Sequence, residues 1–71
     1  MPEQGTHFYF ITLQQGNARG IYTNTLSGYW TPAPGQTRFD VFNEIRAKFE
    51  ARDAGVRGGV VLAFDIQPNQ L

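Results

Sequence analysis

Residues 7–15 have the sequence His-Phe-Tyr-Phe-Ile-Thr-Leu-Gln-Gln, which decides the fold. Aromatic and β-branched residues of this kind favour β-strands. The apolar side chains occupy both odd and even positions, so both faces of the strand need cover from other parts of the chain. A strand covered on two faces belongs in the middle of a sheet. We therefore predict that 7–15 forms the central strand.

The residues that follow predict a hairpin and a second strand. Residues 16–20 contain two glycines and an asparagine, which tolerate positive φ and favour a hairpin loop. Residues 21–31 mix β-branched, aromatic and polar side chains, as edge strands often do. The apolar positions change parity along this strand, so we expect a bulge at Ser27-Gly28. Two prolines beyond Thr31 end the strand.

A helix is predicted from Arg38 to about Asp53. Thr37 and Asp40 match a capping box, in which the hydroxyl and the carboxylate each accept from the other residue's backbone N–H. Gly55 is expected as the C′ glycine after the helix. At 100° per residue, four apolar side chains fall within one arc and form the predicted buried face: Val41, Phe42, Ile45 and Phe49.

The last predicted strand covers 60–67 and alternates clearly. Val60, Leu62, Phe64 and Ile66 are expected on one face, with Val61, Ala63, Asp65 and Gln67 on the other. The element order is therefore strand, strand, helix, strand. It predicts one α+β domain over 1–71 with ββαβ topology and a mainly antiparallel three-stranded sheet of order 2-1-3, one face of which carries the helix. Parallel pairing of the second and third strands is the alternative.

Composition limits the chemistry of the chain. It has six Lys and Arg, six Asp and Glu and a formal net charge of zero, so no overall field attracts nucleic acid or an anionic membrane. There is no cysteine and one histidine, so we expect no disulfide, no metal site and no cofactor. No apolar run approaches the ~20 residues that span a bilayer. A soluble, cytoplasmic protein without membrane contact is expected.

We find no residue pattern for catalysis. Paired carboxylates, a phosphate-binding loop and a nucleophile with an orienting base are all missing from the sequence. Thr6 beside His7 is the one hydroxyl–histidine neighbour, and at a strand entrance such a histidine is usually packed or solvated. We therefore predict that the protein is not an enzyme, with no catalytic residues.

The expected binding surface is the sheet face opposite the helix. With Tyr9, Ile11 and Leu13 assigned to the helix side, Phe8 and Phe10 lie on the uncovered side, with Tyr22 and Trp30 as possible neighbours. An exposed aromatic patch of this size marks an interaction surface. We predict a protein–protein interaction module, homodimeric through this face, with an unidentified protein partner. The alternative is that the twist of the sheet, a loop and the termini cover the rings.

A nucleic-acid-binding accessory protein is the second interpretation, because aromatic sheet faces can stack bases. The arginines are dispersed along the chain and balanced by acids, so nucleic acid is the weaker partner.

Two segments carry a resemblance to known sequences. Residues 37–46 begin Thr-Arg-Phe-Asp-Val, and residues 60–71 end Pro-Asn-Gln-Leu. The chain resembles short uncharacterised proteins of actinobacteria and their phages, which share such a helix start and such a final strand. This resemblance implies a cytoplasmic setting and no assigned activity, and it implies no site residues.

Overall fold

The computed structural model describes residues 5–71, so residues 1–4 of the predicted domain lie outside the described part. Its elements follow the predicted order: β1 (His7–Asn17), β2 (Gly20–Trp30), α1 (Arg38–Arg52), a short 3-10 helix (Ala54–Val56) and β3 (Val60–Pro68). The three strands form one sheet in the order β2-β1-β3, and both pairings are antiparallel. The α+β ββαβ prediction is confirmed, and the parallel alternative does not occur.

The hairpin between β1 and β2 is tighter than the sequence suggests. Pairing runs without a break from His7 opposite Trp30 to Asn17 opposite Gly20, which leaves Ala18 and Arg19 as the turn. The Arg19 N–H donates to Asn17 Oδ1 at 2.7 Å, a local bond typical of Asn in turns. The predicted bulge at Ser27-Gly28 is wrong, because both residues pair within the continuous ladder.

The bulge lies in β3 instead. Thr12 is opposite Ala63 and Leu13 is opposite Val61, so Leu62 is the extra residue of the bulged strand. An extra residue reverses the alternation of side chains beyond it. Val60 therefore lies on the opposite face from Phe64 and Ile66, and Val61 shares their face, so this part of the prediction is wrong.

Helix α1 begins as the sequence predicts. Thr37 Oγ1 accepts from the Asp40 N–H at 3.1 Å, and Asp40 Oδ2 accepts from the Thr37 N–H at 3.0 Å. The C-terminal end differs, because Asp53 caps the helix with its N–H on the Phe49 carbonyl. Gly55 then lies inside the 3-10 helix without a positive φ, so the prediction of a C′ glycine there is wrong.

The core lies between α1 and one face of the sheet, named here the helix face. Its buried side chains are Tyr9, Ile11, Leu13, Val41, Ile45, Phe49, Val56 and Ile66. The assignment of Tyr9, Ile11 and Leu13 to the helix side is confirmed. Phe42, predicted as buried, is half-buried and packs edge-on against Phe64, with 5.0 Å between the ring centroids.

Two hydrogen bonds from α1 side chains hold the start of β3. Arg46 Nη2 donates to the Gly59 carbonyl at 2.8 Å, and Glu50 Oε2 accepts from the Gly58 N–H at 3.0 Å. A Cβ atom on Gly59 would lie 2.7 Å from the Gln14 carbonyl oxygen, which is closer than such atoms approach. Glycine is therefore required where the chain passes from the helix into the sheet.

Candidate binding surface on the open face of the sheet

The sheet face opposite α1 carries no other element of residues 5–71, and we name it the open face. Residues directly opposite each other in an antiparallel pair lie on the same face of the sheet. The even-numbered residues of β1 and their partners therefore define it. Its members are Phe8, Phe10, Thr12, Gln14, Ile21, Thr23, Thr25, Ser27, Tyr29, Val60, Ala63, Asp65 and Gln67.

Three rings form an aromatic patch at one end of the open face: Phe8, Phe10 and Tyr29. Phe8 lies directly opposite Tyr29, and Phe10 follows Phe8 on the same face. Phe8 is 48% exposed and Tyr29 is 61% exposed, whereas Phe10 is half-buried. Ile21 is 72% exposed and Val60 is 65% exposed, and they add apolar surface toward the other end of the open face.

The middle of the open face is polar, and its side chains hydrogen-bond to one another across the strands. The Thr12 and Thr25 hydroxyls hydrogen-bond across the strands at 2.8 Å. Gln14 Nε2 donates to the Thr23 hydroxyl at 3.1 Å. These bonds occupy hydroxyl groups that would otherwise need water, so another surface can cover this region at a small desolvation cost.

Charge is nearly missing from the open face. Among the residues defined above, Asp65 is the one carboxylate, and no Lys or Arg is present. The six basic residues of the chain lie elsewhere. Arg19 is in the hairpin turn, Arg57 follows the 3-10 helix, and the other four are on α1.

Two of the predicted interface residues do not lie on this face. Trp30 is opposite His7 and Tyr22 is opposite Gln15, so both belong to the helix face. The expectation that they neighbour Phe8 and Phe10 is wrong, because the hairpin has a two-residue turn and an unbroken register.

Tyr22 and Trp30 both have structural roles on the helix face. Trp30 packs edge-on against Tyr9 with 6.3 Å between centroids, and Lys48 Nζ lies 5.9 Å from the Trp30 ring centroid. The Tyr22 hydroxyl donates to Asp53 Oδ2 at 2.7 Å. Tyr29 takes their place on the open face. Sequence reasoning missed it because only the length of the hairpin turn shows which parity of β2 shares a face with Phe8.

Asp53 is the centre of a polar cluster at the end of α1. It accepts from Asn24 Nδ2 at 2.9 Å, from the Tyr22 hydroxyl and from the Gly55 N–H at 3.0 Å. The bonds from Asn24 and Tyr22 lower the pKa of Asp53, and the bond to Asp53 raises the pKa of Tyr22. The ionised carboxylate thus joins the 3-10 helix to β2, so the role of Asp53 is structural.

Two open cavities lie away from the aromatic patch. One, of about 400 Å³, lies beside the hairpin turn and is lined by Arg19 and Tyr22 among others. The other, of about 280 Å³, lies near the start of α1 and includes His7. His7 Nδ1 is 2.7 Å from the Thr6 hydroxyl, and no bond to its other ring nitrogen occurs within residues 5–71. This pair lacks the third group that orients a catalytic base.

Within residues 5–71, no helix has the length and apolar character needed to cross a membrane. The described part of the chain also contains no group of three or more His, Cys, Asp or Glu side chains placed to hold a metal ion. Comparison of the chain with protein-family models, with curated proteins and with solved structures finds no match. What the chain can bind is therefore inferred from its geometry.

Proposed function

We propose that this protein is a small cytoplasmic protein–protein interaction module that works as a homodimer through its open face. The observation that carries the proposal is the aromatic patch of Phe8, Phe10 and Tyr29 on a sheet face that no element of residues 5–71 covers. Exposed apolar patches of this kind mark protein contact sites on small proteins. The cytoplasmic setting is permitted by a chain that folds without cysteine.

A second copy is the occupant that the chemistry of the face favours. A symmetric dimer places the same surface on both sides of the contact, so like charges are the main obstacle to self-association. The open face carries one carboxylate, Asp65, which is at the β3 side of the sheet and accepts from Gln67 Nε2 at 3.0 Å. The aromatic patch and the satisfied threonine pairs can meet their own copies without repulsion.

The size of the face sets the strength of this contact. With ~3.4 Å per residue and ~4.8 Å between strands, three strands of this length cover roughly 500 Å² per protomer. Face-to-face packing of two copies would bury about 1,000 Å², at the lower limit for a specific interface. We therefore expect a reversible homodimer whose population depends on concentration.

The distribution of charge argues for protein over nucleic acid as the partner. Proteins that stack bases on a sheet surround it with Lys and Arg, which neutralise the phosphates. Here the basic residues lie in the turn, on α1 and after the 3-10 helix. We expect no salt-dependent binding of single-stranded RNA or DNA at physiological ionic strength.

The test compares two variants that introduce the same charge on opposite sides of the sheet. Phe8→Glu puts a carboxylate into the aromatic patch, whereas Phe39→Glu puts one on the first turn of α1, where the ring is 69% exposed. Phe8→Glu should raise the dimer Kd by roughly tenfold or more, because the charge would be buried without a partner. Phe39→Glu should keep the Kd of the wild type.

Sedimentation equilibrium gives both constants, and circular dichroism confirms that each variant is folded. Tyr29→Thr supplies a second variant, which removes a ring from the patch without adding charge or disfavouring the strand. Equal Kd values for the wild type, Phe8→Glu and Tyr29→Thr would contradict the proposal that the open face is the contact surface.

A further inference from the structure

The outer edge of β2 lacks the charges, prolines and bulges that keep sheet edges apart. On its inner side β2 pairs with β1, and on its outer side it has no backbone partner within residues 5–71. Gly20–Trp30 contains no charged residue and no proline, and its pairing with β1 shows no bulge over 11 residues. Natural proteins block exposed edges with such residues and bulges, because an unpaired edge accepts another strand.

The opposite edge of the same sheet is blocked. β3 carries the bulge at Leu62, the charged Asp65 and the terminal Pro68. All three features hinder the addition of a further strand. The contrast between the two edges indicates that β2, and not β3, is open to pairing.

One side-chain contact shows which backbone groups of β2 point outward. The Thr25 N–H donates to Asn24 Oδ1 at 2.9 Å, an acceptor on its own strand and not on β1. This N–H therefore faces the outer edge. Alternate residues of a strand present their N–H and C=O groups to the same side. The outward residues are then Ile21, Thr23, Thr25, Ser27 and Tyr29.

We propose that the β2 edges of two copies pair antiparallel about a two-fold axis at Thr25, which joins two three-stranded sheets into one of six strands. The inference rests on the proposed function in that the partner is again a second copy of this chain. It differs from that function in the surface used, because the contact is made by the strand edge.

The sequence of β2 is complementary to itself in this register. Ile21, which is 72% exposed, would lie opposite Tyr29 of the second copy, which is 61% exposed. Thr23 would lie opposite Ser27, and Thr25 opposite its own copy. On the helix face Tyr22 would lie opposite Gly28, against which the Tyr9 ring of the same copy packs. The pairs on the open face thus match polar with polar or apolar with aromatic, whereas on the helix face Asn24 would lie opposite Leu26.

Edge pairing would satisfy the outward backbone groups. The register gives roughly ten N–H···O=C bonds, two for each hydrogen-bonded pair of residues. The Thr25 N–H would exchange its bond with Asn24 for the Thr25 carbonyl of the second copy. Asn24 would keep its bond to Asp53, so the cluster at the end of α1 is not disturbed.

The edge contact also enlarges the surface used in the proposed function. A two-fold axis perpendicular to the sheet places both α1 helices on one side and both open faces on the other. The joined open face then covers about 1,000 Å², so two six-stranded sheets packed face to face bury about 2,000 Å². Edge and face contacts together give four copies, a common closed symmetry. The blocked β3 edges end the sheet and prevent further growth.

The test uses two lysine variants at one position of the ladder. Thr25 and Thr12 are directly opposite, hydrogen-bonded to each other and both on the open face. Thr25→Lys and Thr12→Lys should therefore weaken face-to-face packing alike. Only Thr25→Lys places two ammonium groups together at the two-fold axis, where like charges oppose pairing. Thr12→Lys should remain a dimer of about 16 kDa, twice the 8.0 kDa of the chain. Thr25→Lys should be a monomer, with a dimer Kd at least about tenfold higher.

Hydrogen exchange of the wild type adds a readout that needs no variant. The Thr23 and Ser27 amides face the outer edge, so their exchange should slow as the protein concentration rises. Rapid exchange of both amides at concentrations where the protein is associated would overturn the edge contact, as would identical masses for the two lysine variants. If Thr12→Lys keeps the wild-type mass while Thr25→Lys dissociates, the edge contact stands and the face contact of the proposed function fails.

Discussion

Asp53 shows how one side chain holds three elements together. Its carboxylate accepts from Asn24 and Tyr22 on β2 and from the Gly55 N–H of the 3-10 helix, directly after α1. These bonds favour the ionised form and lower the pKa of Asp53 in the folded state. Stability from this group is therefore complete above the unfolded pKa of about 3.9 and is lost as the pH falls through the lower, folded value.

Asp53→Asn should lower the melting temperature at pH 7. It should also make the melting temperature decrease less between neutral and acid pH than it does in the wild type, because the amide does not titrate. Thermal melts at neutral pH and at about pH 3 measure both effects. Glu44→Gln is the matched control, since the Glu44 side chain makes no hydrogen bond or ion pair within residues 5–71. The melts of this variant should follow those of the wild type. A wild-type acid dependence in Asp53→Asn would contradict the stabilising role of the cluster.

Individual residues differ in how well the sequence predicts them. The Thr37–Asp40 capping box is local, with its partners three residues apart, and the prediction is confirmed. Trp30 lies on the face opposite to the predicted one, because its position depends on the turn about ten residues away, and Tyr29 lies on the open face instead. A shift of one residue in a hairpin moves every side chain to the other face.

Among the elements, α1 is predicted best, because its apolar positions repeat with the helical period. Ile45 is fully buried between α1 and the sheet. Ile45→Asp should abolish folding, since an unpaired buried charge costs several kcal/mol, a large part of the ~5 kcal/mol that a small domain has. Circular dichroism and thermal melts measure this.

Ala47→Asp is the control for the helix, because Ala47 is exposed on the other side of α1. It should remain folded and lose about 0.7 kcal/mol or less through helix propensity. A normal melt of Ile45→Asp would contradict the core assignment.

The strands show why alternation alone is insufficient. The last strand has the clearest alternation in the sequence, yet the bulge at Leu62 divides it into two parts with opposite parity. No glycine, proline or asparagine marks the position of the bulge in the sequence; the bulge is defined by the pairing of β3 with β1. Such long-range constraints are not visible in a single strand.

At the scale of the molecule, the small size of the chain accounts for the uncovered face of the sheet. In a chain of 71 residues without cysteine, the free energy gained by burying apolar surface is little more than the conformational entropy cost of folding. One helix covers the helix face, which leaves the aromatic patch and the open β2 edge for other chains. In the proposed assembly a second copy would supply the missing layer, and the contacts that bind it would also stabilise the fold.

The mass and the melting temperature of the wild type, measured together from about 5 to 500 µM, test this account most directly. Because association stabilises only the folded chain, the mass should rise from 8.0 kDa to about 16 kDa and then toward about 32 kDa, while the melting temperature rises by several degrees. A mass of 8.0 kDa and a constant melting temperature over this whole range would contradict the central claim that other copies of the chain cover the open face.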